Sequence, residues 1–517
     1  MAQDEKTIIR SLLEPRIKID LLQVEDMFTG TSDKLDPTKK GTESGRQYQN
    51  QLGVDFPFLT VNNYVFNTDE ILEFVLSSNN FLPTMSLTFK LTGSDTFRSQ
   101  AYPKDGDVLS VFIRAKNNVF KPIRNDYLIT SVNSSPGGVE NMGGVTSLSG
   151  ELFIPRLQEQ VIKSYTGTSF KVLQDICKEL ELGFATNETS TDDSMAWLSA
   201  GGTWKTYIEE IAGASWKDTN SFYKVFIDVY YHLNFVNMNN QIEGDGQLAA
   251  GILDSAIMKD FYQNEQNTTA NSQTSTAKFL TTIDSFKASN MFIQGYETIN
   301  KSSAINKMFG YKYNVQFFDM KSLKYWNLFV DPKTSDGAEK KKIILKGRTF
   351  PKKEGETNAE GFSPSAQEHW KTQNLYVWKG IQSKNVHDKY TFAIAHNLRN
   401  LLELSKLYLE VRITRWNPNI YLGEKLPLVL ISQADPSKAN TDAVGKDAVL
   451  AEKSGGGEVP VLDQFYSGYY VVNGMEIIYA QDNSPYEHGT GVDPNKLAPA
   501  YFQTFSMTRR EWPTPLG

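Results

Sequence analysis

Five histidines and one cysteine are the nitrogen and sulfur ligands that this 517-residue sequence offers a metal. His387 and His396 fall beside or within one run of helical periodicity, at a spacing that does not set both on one face as adjacent ligands, so capping and core packing are their expected roles. His369, between Glu368 and Trp370, reads as an exposed loop residue. There is no HExxH motif, and Cys177 by itself forms neither an intrachain disulfide nor a cysteine-based zinc or iron–sulfur site. Asp105-Gly106-Asp107 resembles the start of a calcium loop, but no carboxylates follow at the required offsets, which leaves a hairpin turn. Gly455-Gly456-Gly457 does not join a hydrophobic strand to a helix, so it reads as a surface loop and not a phosphate cradle. A G-x-S-x-G elbow and a Walker loop are absent, and among 60 acidic residues no carboxylate pair stands out for glycoside hydrolysis. No catalytic residue, metal or cofactor is expected.

The strongest charge feature is basic. Lys340, Lys341, Lys342, Lys346 and Arg348, with Lys352 and Lys353, cluster in a chain of net charge −7. Two readings fit: a solvated edge that discourages sheet-to-sheet association, or a contact with an acidic neighbouring subunit. Nucleic-acid binding fits poorly, because aromatics are not interleaved as stacking platforms and the overall charge gives no pull towards phosphates or an anionic membrane. The opening MAQDEKTIIR lacks the apolar core of a secretion signal. The apolar stretch Phe222 to Met238 is interrupted by Lys224, Asp228, His232 and Asn234, so no membrane insertion is expected. A soluble protein assembled inside a cell fits these features.

A chain this long needs several packed units. Residues 1–50 read as an N-terminal arm and linker, with KTIIRSLLEPRIKIDLL forming a short helix broken at Pro15 and then a strand. Residues 51–158 carry short runs of β-branched and aromatic residues bounded by Gly, Pro, Asn and Asp: strands at Ile71–Leu76, Met85–Leu91, Val108–Arg114, Tyr127–Val132 and Thr146–Phe153. Residues 159–250 read as a smaller α/β domain. There Phe170, Leu173, Ile176, Cys177 and Leu180 share one helical face, with Thr168 or Ser169 as N-cap and Gly183 at the end. Trp204, Tyr207, Ile208 and Ile211 share another, and SFYKVFIDVYYHLNF reads as a third helix turning to strand near Leu233. Residues 251–289 are a polar linker or loop. Residues 290–517 form a second strand-rich unit with a helix at Tyr390–Ser405, strands at Asn290–Thr298, Tyr311–Phe318, Lys406–Thr414, Leu426–Ser432, Tyr469–Ile478 and Phe502–Thr508, and a basic insertion at about 331–374 around a strand at Lys342–Leu345.

The two strand-rich units share an order. The first runs SLTFKL, then Gly106-Asp107 leading Val108 to Val111, then Tyr127 leading Leu128 and Ile129, then Ser147 to Ser149. The second runs YLEVRI, then Gly423-Glu424 leading Lys425 to Leu428, then Tyr469 leading Tyr470 and Val471, then Thr504 to Ser506. Glycine permits the tight turn, and the acid accepts backbone N–H groups there. Duplication explains the match; so does the general likeness of any two antiparallel meanders. Three chains with two such units each would present six similar units in a ring.

The chain also resembles the central baseplate hub family of contractile phage tails. The resemblance runs from about Phe56 to the C-terminus. VNNYVFNTDEILEFVLSSNNFLPTMSLTF carries it in the first unit, and TWKTYIEEIAGASWKDTNSFYKVFIDVYYHLNFVNM in the middle. WKGIQSKNVHDKYTFAIAHNLRNLLELSKLYLEV followed by NPNIYLGEKLPLVLI carries it into the second unit. These strings encode packing, not chemistry, and it is their joint order that resembles the family. The resemblance implies a mainly β fold with α/β parts: two similar tail-tube-type antiparallel β-barrels separated by a smaller α/β domain. It implies a non-enzymatic homotrimer in the virion tail baseplate, assembled in the host cytoplasm, and set between a hexameric tail tube and a trimeric central spike. DNA would pass its channel without specific binding. The arm and the basic insertion depart from the family pattern and receive no role from it. A part of a related contractile injection apparatus would be built alike, and a tail-associated cell-wall hydrolase and a receptor-binding module are the rival readings.

Overall fold

The computed structural model describes residues 7–18, 57–62, 64–67, 70–90, 97, 101–113, 121–135, 144–243, 279–282, 290–301, 304, 305, 308, 313–319, 323–330, 373–377, 385–413, 416–431, 463, 466–480 and 500–509. The fold is mainly β with a few helices, and its largest element is a curled antiparallel half-barrel sheet.

The chain opens with β1 (Arg10–Leu13). A first block follows: β2 (Phe58–Val61), β3 (Tyr64–Val65), β4 (Ile71–Ser77), β5 (Thr84–Lys90), β6 (Val108–Ile113), β7 (Ile123–Ser135) and β8 (Val145–Leu152). The middle unit holds β9 (Gln160–Gly167), α1 (Ser169–Glu179), β10 (Gly183–Thr186), β11 (Met195–Thr203), α2 (Trp204–Ala214), β12 (Tyr223–Ile227), β13 (His232–Asn237) and α3 (Met238–Glu243). The last block holds β14 (Leu280–Thr281), β15 (Ile293–Asn300), β16 (Tyr313–Asp319), β17 (Lys324–Val330), β18 (Gln373–Val377), α4 (Tyr390–Lys406), β19 (Leu407–Ile413), β20 (Lys425–Val429), β21 (Gly468–Ala480) and β22 (Ala500–Thr508).

Strand order repeats between the outer blocks. The first runs β4-β5-β8-β7-β6 and the last β15-β19-β22-β21-β20. Strand pairing then fixes which residues correspond. Val108 pairs with Leu128, and Lys425 with Val471, so Tyr127 corresponds to Tyr470. The expected match of Tyr127 with Tyr469 is therefore off by one residue. Side chains alternate across a strand, and Tyr127 and Tyr470 are both buried in their cores while Tyr469 is only part-buried. The first strands slip too: Met85, opposite Gly150, corresponds to Leu409, opposite Met507, so SLTFKL and YLEVRI align two residues away from the sequence reading. A two-residue slip keeps the buried face, which is why the sequence pattern tolerated it.

The irregularities repeat as well. β7 shifts register between Ile129 and Ser131, and β21 between the corresponding Val472 and Gly474. β4 shifts between Ile71 and Glu73, and β15 between the corresponding Ile293 and Gly295. A bulge bends its strand and strengthens the local twist, so equal bulges give the two blocks the same curvature.

The four-stranded sheet β1-β10-β13-β12 lies between two cores. Tyr223, Ile227, Leu233 and Phe235 join the core of the first block and middle unit, while Phe226 and Val236 join that of the last block. The strand expected near Leu233 is β13, but the helix expected before it is the strand β12, so the segment is a hairpin: two-sided burial explains this, for every residue of β13 is buried, and Tyr231 takes a positive φ of 61° in the turn. A strand covered on both faces loses the polar–apolar alternation that would reveal it. The opening segment also differs from expectation. Arg10–Leu13 is a strand pairing with β10, ahead of Pro15, in place of a short helix. A helix of that length is costly to nucleate, whereas β10 offers a ready edge. Gly183 starts β10 and does not cap α1, whose C-cap is Leu180. The expected strand at Lys342–Leu345 lies outside the described residues, as does most of the polar linker apart from residues 279–282.

Candidate functional site

The features shared by the two outer blocks meet at a pair of turns. Gly106 and Gly423 hold φ of 88° and 84°, the left-handed region that a Cβ disfavours. The acid that follows each closes the turn in the same way. Asp107 Oδ2 accepts from the Lys104 N–H at 2.6 Å, and Glu424 Oε2 from the Tyr421 N–H at 3.2 Å. The Asp107 N–H donates to Lys104 O, and the Glu424 N–H to Tyr421 O. Each acid's carbonyl then accepts from the bulge strand, Asp107 O from the Ile129 N–H and Glu424 O from the Val472 N–H. Asn62 adds a bond to Asp107 Oδ2 at 2.7 Å; this bond and the Lys104 N–H hold the carboxyl below its usual range despite opposing desolvation.

The two turns differ in what covers them. A Cβ on Gly106 would meet nothing within 4 Å, whereas one on Gly423 would lie 3.0 Å from Ile9 Cδ1. Gly106→Ala is expected to cost about 1–2 kcal/mol of conformational strain, and Gly423→Ala more, because Ile9 must also move. Urea unfolding of both variants, followed by tryptophan fluorescence, checks the order; an equal or reversed order would contradict it.

The bulge of β21 is gripped by the middle unit. Lys224, on the face of β12 turned towards the last block, donates through Nζ to Asn473 O at 2.6 Å and Asn473 Oδ1 at 2.8 Å. Burial pulls this ammonium down to about 8. The first block is held through the adjacent turn, where Tyr231 OH accepts from the Asp126 N–H at 3.1 Å and Tyr230 OH donates to Lys121 O at 2.9 Å. One hairpin therefore ties both outer blocks together.

Helix α4 adds a second tie. Asn397 Nδ2 donates to Gly213 O and Ser215 O at the end of α2, and the His387 ring bonds Ala214 O at 2.9 Å. His396 stacks on Phe392, and Trp216 meets both rings edge-on. Both histidines face the middle unit but different partners. Among the described residues, no group of three or more His, Cys, Asp or Glu is placed to hold a metal ion, and no helix is long and apolar enough to cross a membrane.

The outer blocks also join directly. β21 runs past β20 and pairs antiparallel with β4, from Glu476 opposite Ser77 to Ala480 opposite Glu73. Glu476 Oε1 accepts from Asn79 Nδ2 at 2.8 Å and Ser77 Oγ at 3.2 Å across the seam. Gly106, Asp107, Tyr127, Gly423, Glu424 and Tyr469 carry the pattern visible in the sequence, whereas Tyr470, Lys224 and the seam emerge only from the strand pairing. The signal for Lys224 was present, a lone cation inside FYKVF, but its partner lies 249 residues away. The basic cluster Lys340, Lys341, Lys342, Lys346 and Arg348 lies outside the described residues.

No protein-family model matches the chain, and no curated protein matches it. Solved structures do. The chain is similar to the tail protein from Neisseria meningitidis MC58, at 8% identity and TM-score 0.42, over 89% of this chain and 98% of that one. It is similar to the 43 kDa tail protein of prophage MuSo2 from Shewanella oneidensis, at 8% identity and TM-score 0.42, over 88% and 96%. It is also similar, at 8% identity and TM-score 0.36 over 88% and 79%, to the E. coli c3393 protein, a component of the type VI secretion system with structural similarity to T4 bacteriophage tail proteins gp27 and gp5.

Proposed function

We propose that this chain is the structural hub of a contractile phage tail baseplate: a homotrimer with pseudo-sixfold symmetry that joins a hexameric tail tube to a trimeric central spike. The observation that carries the reading is the duplicated five-strand block, with equal strand order, equal bulges and equal turns. Two equivalent blocks per chain let three chains offer six equivalent surfaces to a sixfold partner and three to a threefold one. The order of the packing strings quoted above, which resembles the hub family, supports the same reading.

On this reading the two blocks are tube-type barrels that form part of an axial channel, and the middle unit keeps them at a fixed angle under load. The role is mechanical and not enzymatic. DNA passes without specific binding, neighbouring baseplate subunits contact the outside, and the basic cluster from Lys340 to Arg348 is a contact for one of them. Light scattering on the purified protein, alone and with tube and spike candidates added, tests the proposal. A mass of three chains is expected. A monomer that persists with both candidates present would contradict it.

A further inference from the structure

The seam inside the chain predicts a seam between chains. β4, the first strand of the first block, covers the outer part of β21, the fourth strand in the last block's order. If the blocks are equivalent, β15, the first strand of the last block, should cover the outer part of β7 in a neighbouring first block. Within one chain it does not: β14 touches only the entry to β15, through a bridge between Thr281 and Phe292, and along β15 itself β19 is the one strand neighbour in the sheet order among the described residues.

The geometry on the β7 side matches. β7 and β21 are both 13 residues long. β6 pairs with β7 through Leu128, as β20 pairs with β21 through Val471. β8 covers one edge of β7 as far as Ser135, as β22 covers one edge of β21 as far as Ala480. What differs is the other edge. Residues 476–480 of β21 carry β4 there, while the corresponding stretch of β7, beginning at Asn133, has no strand on that side among the described residues.

Burial follows the same asymmetry. Phe74 and Leu76 of β4 are 1% and 2% exposed, whereas Tyr296 and Thr298, their counterparts on β15, are part-buried and exposed. A strand of 8 residues with an open edge is a template for pairing, which folded proteins cover or blunt.

We infer that β15 of one copy pairs antiparallel with the outer part of β7 of the next, in the register of the internal seam, so that Ile299 lies opposite Asn133 of its neighbour. The inference rests on the proposed trimer and specifies its interface. The contact is head-to-tail, so it closes into a ring at three chains or runs on as a filament. The register carries over residue by residue. Glu476 corresponds to Asn133, and Ser77 to Ile299. The Ser78 N–H, which donates to Met475 O at 2.7 Å, corresponds to the N–H of Asn300, and Met475 O to Val132 O. That bond marks the neighbouring position as hydrogen-bonded and makes 77 opposite 476 a non-hydrogen-bonded pair, with Cα atoms about 4.5 Å apart, within reach of a disulfide.

Cross-linking decides it. The single native cysteine, Cys177, is buried and does not interfere. The pair Asn133→Cys with Ile299→Cys, oxidised under mild conditions, is expected to run as covalent dimer and trimer on a denaturing gel. Either single variant should stay monomeric on the gel. Ser77→Cys with Glu476→Cys is the internal control and should close within one chain, which shows that this register supports a disulfide. Asn133→Cys with Glu297→Cys, two positions out of register, should cross-link far less. The mass of each sample before oxidation separates the outcomes. A three-chain mass with a closed control and no interchain bond would overturn the register and leave the trimer standing; a one-chain mass with no interchain bond would overturn both.

Discussion

Replacing Asp193 with alanine is expected to destabilise the middle unit by about 3–5 kcal/mol, the largest effect of any single substitution discussed. Its carboxylate is fully buried and accepts four hydrogen bonds, from the Ser169 N–H at 2.8 Å, Ser169 Oγ at 2.5 Å, Thr191 Oγ1 at 2.8 Å and the Trp216 N–H at 2.9 Å. Ser169 is the first residue of α1 and Trp216 follows α2, so one side chain ties the start of one helix to the end of the other. Alanine would strand the Ser169 and Trp216 N–H groups away from water and leave the Ser169 and Thr191 hydroxyls, 3.0 Å apart, only each other, and each lost partner costs the desolvation of its group. Asp193→Asn keeps the shape but turns an amide towards those donors, so a smaller loss is expected. Thermal and urea unfolding of both variants measures this. A loss under about 1 kcal/mol for the alanine variant would be too small for four broken charged bonds.

Acid is expected to weaken the protein through His396. The ring is buried, stacked on Phe392 with Trp216 edge-on, and burial lowers its pKa to about 4. The unfolded chain binds the proton near pH 6.5, the folded chain only near pH 4, so the unfolded state holds more protons in that window. The stability is therefore fully present above pH 6.5 and is lost as pH falls through 6.5 towards 4, by about 3 kcal/mol in all. His232 has the opposite sign. Its pKa is raised by Asp228 and Glu14 against an opposing desolvation, so its contribution is present below its unfolded pKa and lost on going up. His396→Phe isolates the first effect, because a phenyl ring stacks on the same neighbours and carries no proton. Its stability between pH 6.5 and 4.5 should fall less than that of the parent; parallel curves would remove His396 as the cause.

How much of this could be read from the sequence depends on where each partner lies. The helices α1, α2 and α4 were legible because their buried faces are local patterns, Phe170 to Leu180 in one and Trp204 to Ile211 in another. Strands β4 to β8 were legible for the same reason, with Gly106 marking the turn before β6. The order of the repeat was visible, but its register was not. Tyr469 and Tyr470 are adjacent, and only pairing with β20 says which of them corresponds to Tyr127. β1 was misread because its partner β10 lies more than 170 residues on, and β12 because residues on both of its faces enter a core, which blurs its alternation; the strand expected near Leu233 is β13. The edge contact of β21 with β4 joins residues 399 apart at Ser77 and Glu476, too far for any local pattern to show. Bulges add one residue to a strand without changing its composition, so they leave no trace in hydrophobic pattern.

The function proposed here depends on two equivalent blocks becoming six in a closed ring. Averaged electron-microscope images of the purified protein, taken with tube and spike candidates present, test that most directly. Threefold particles with a central hole and six similar lobes around it are expected. Particles with a single pair of lobes, or a twofold dimer that hides the free edge of β15, would contradict it.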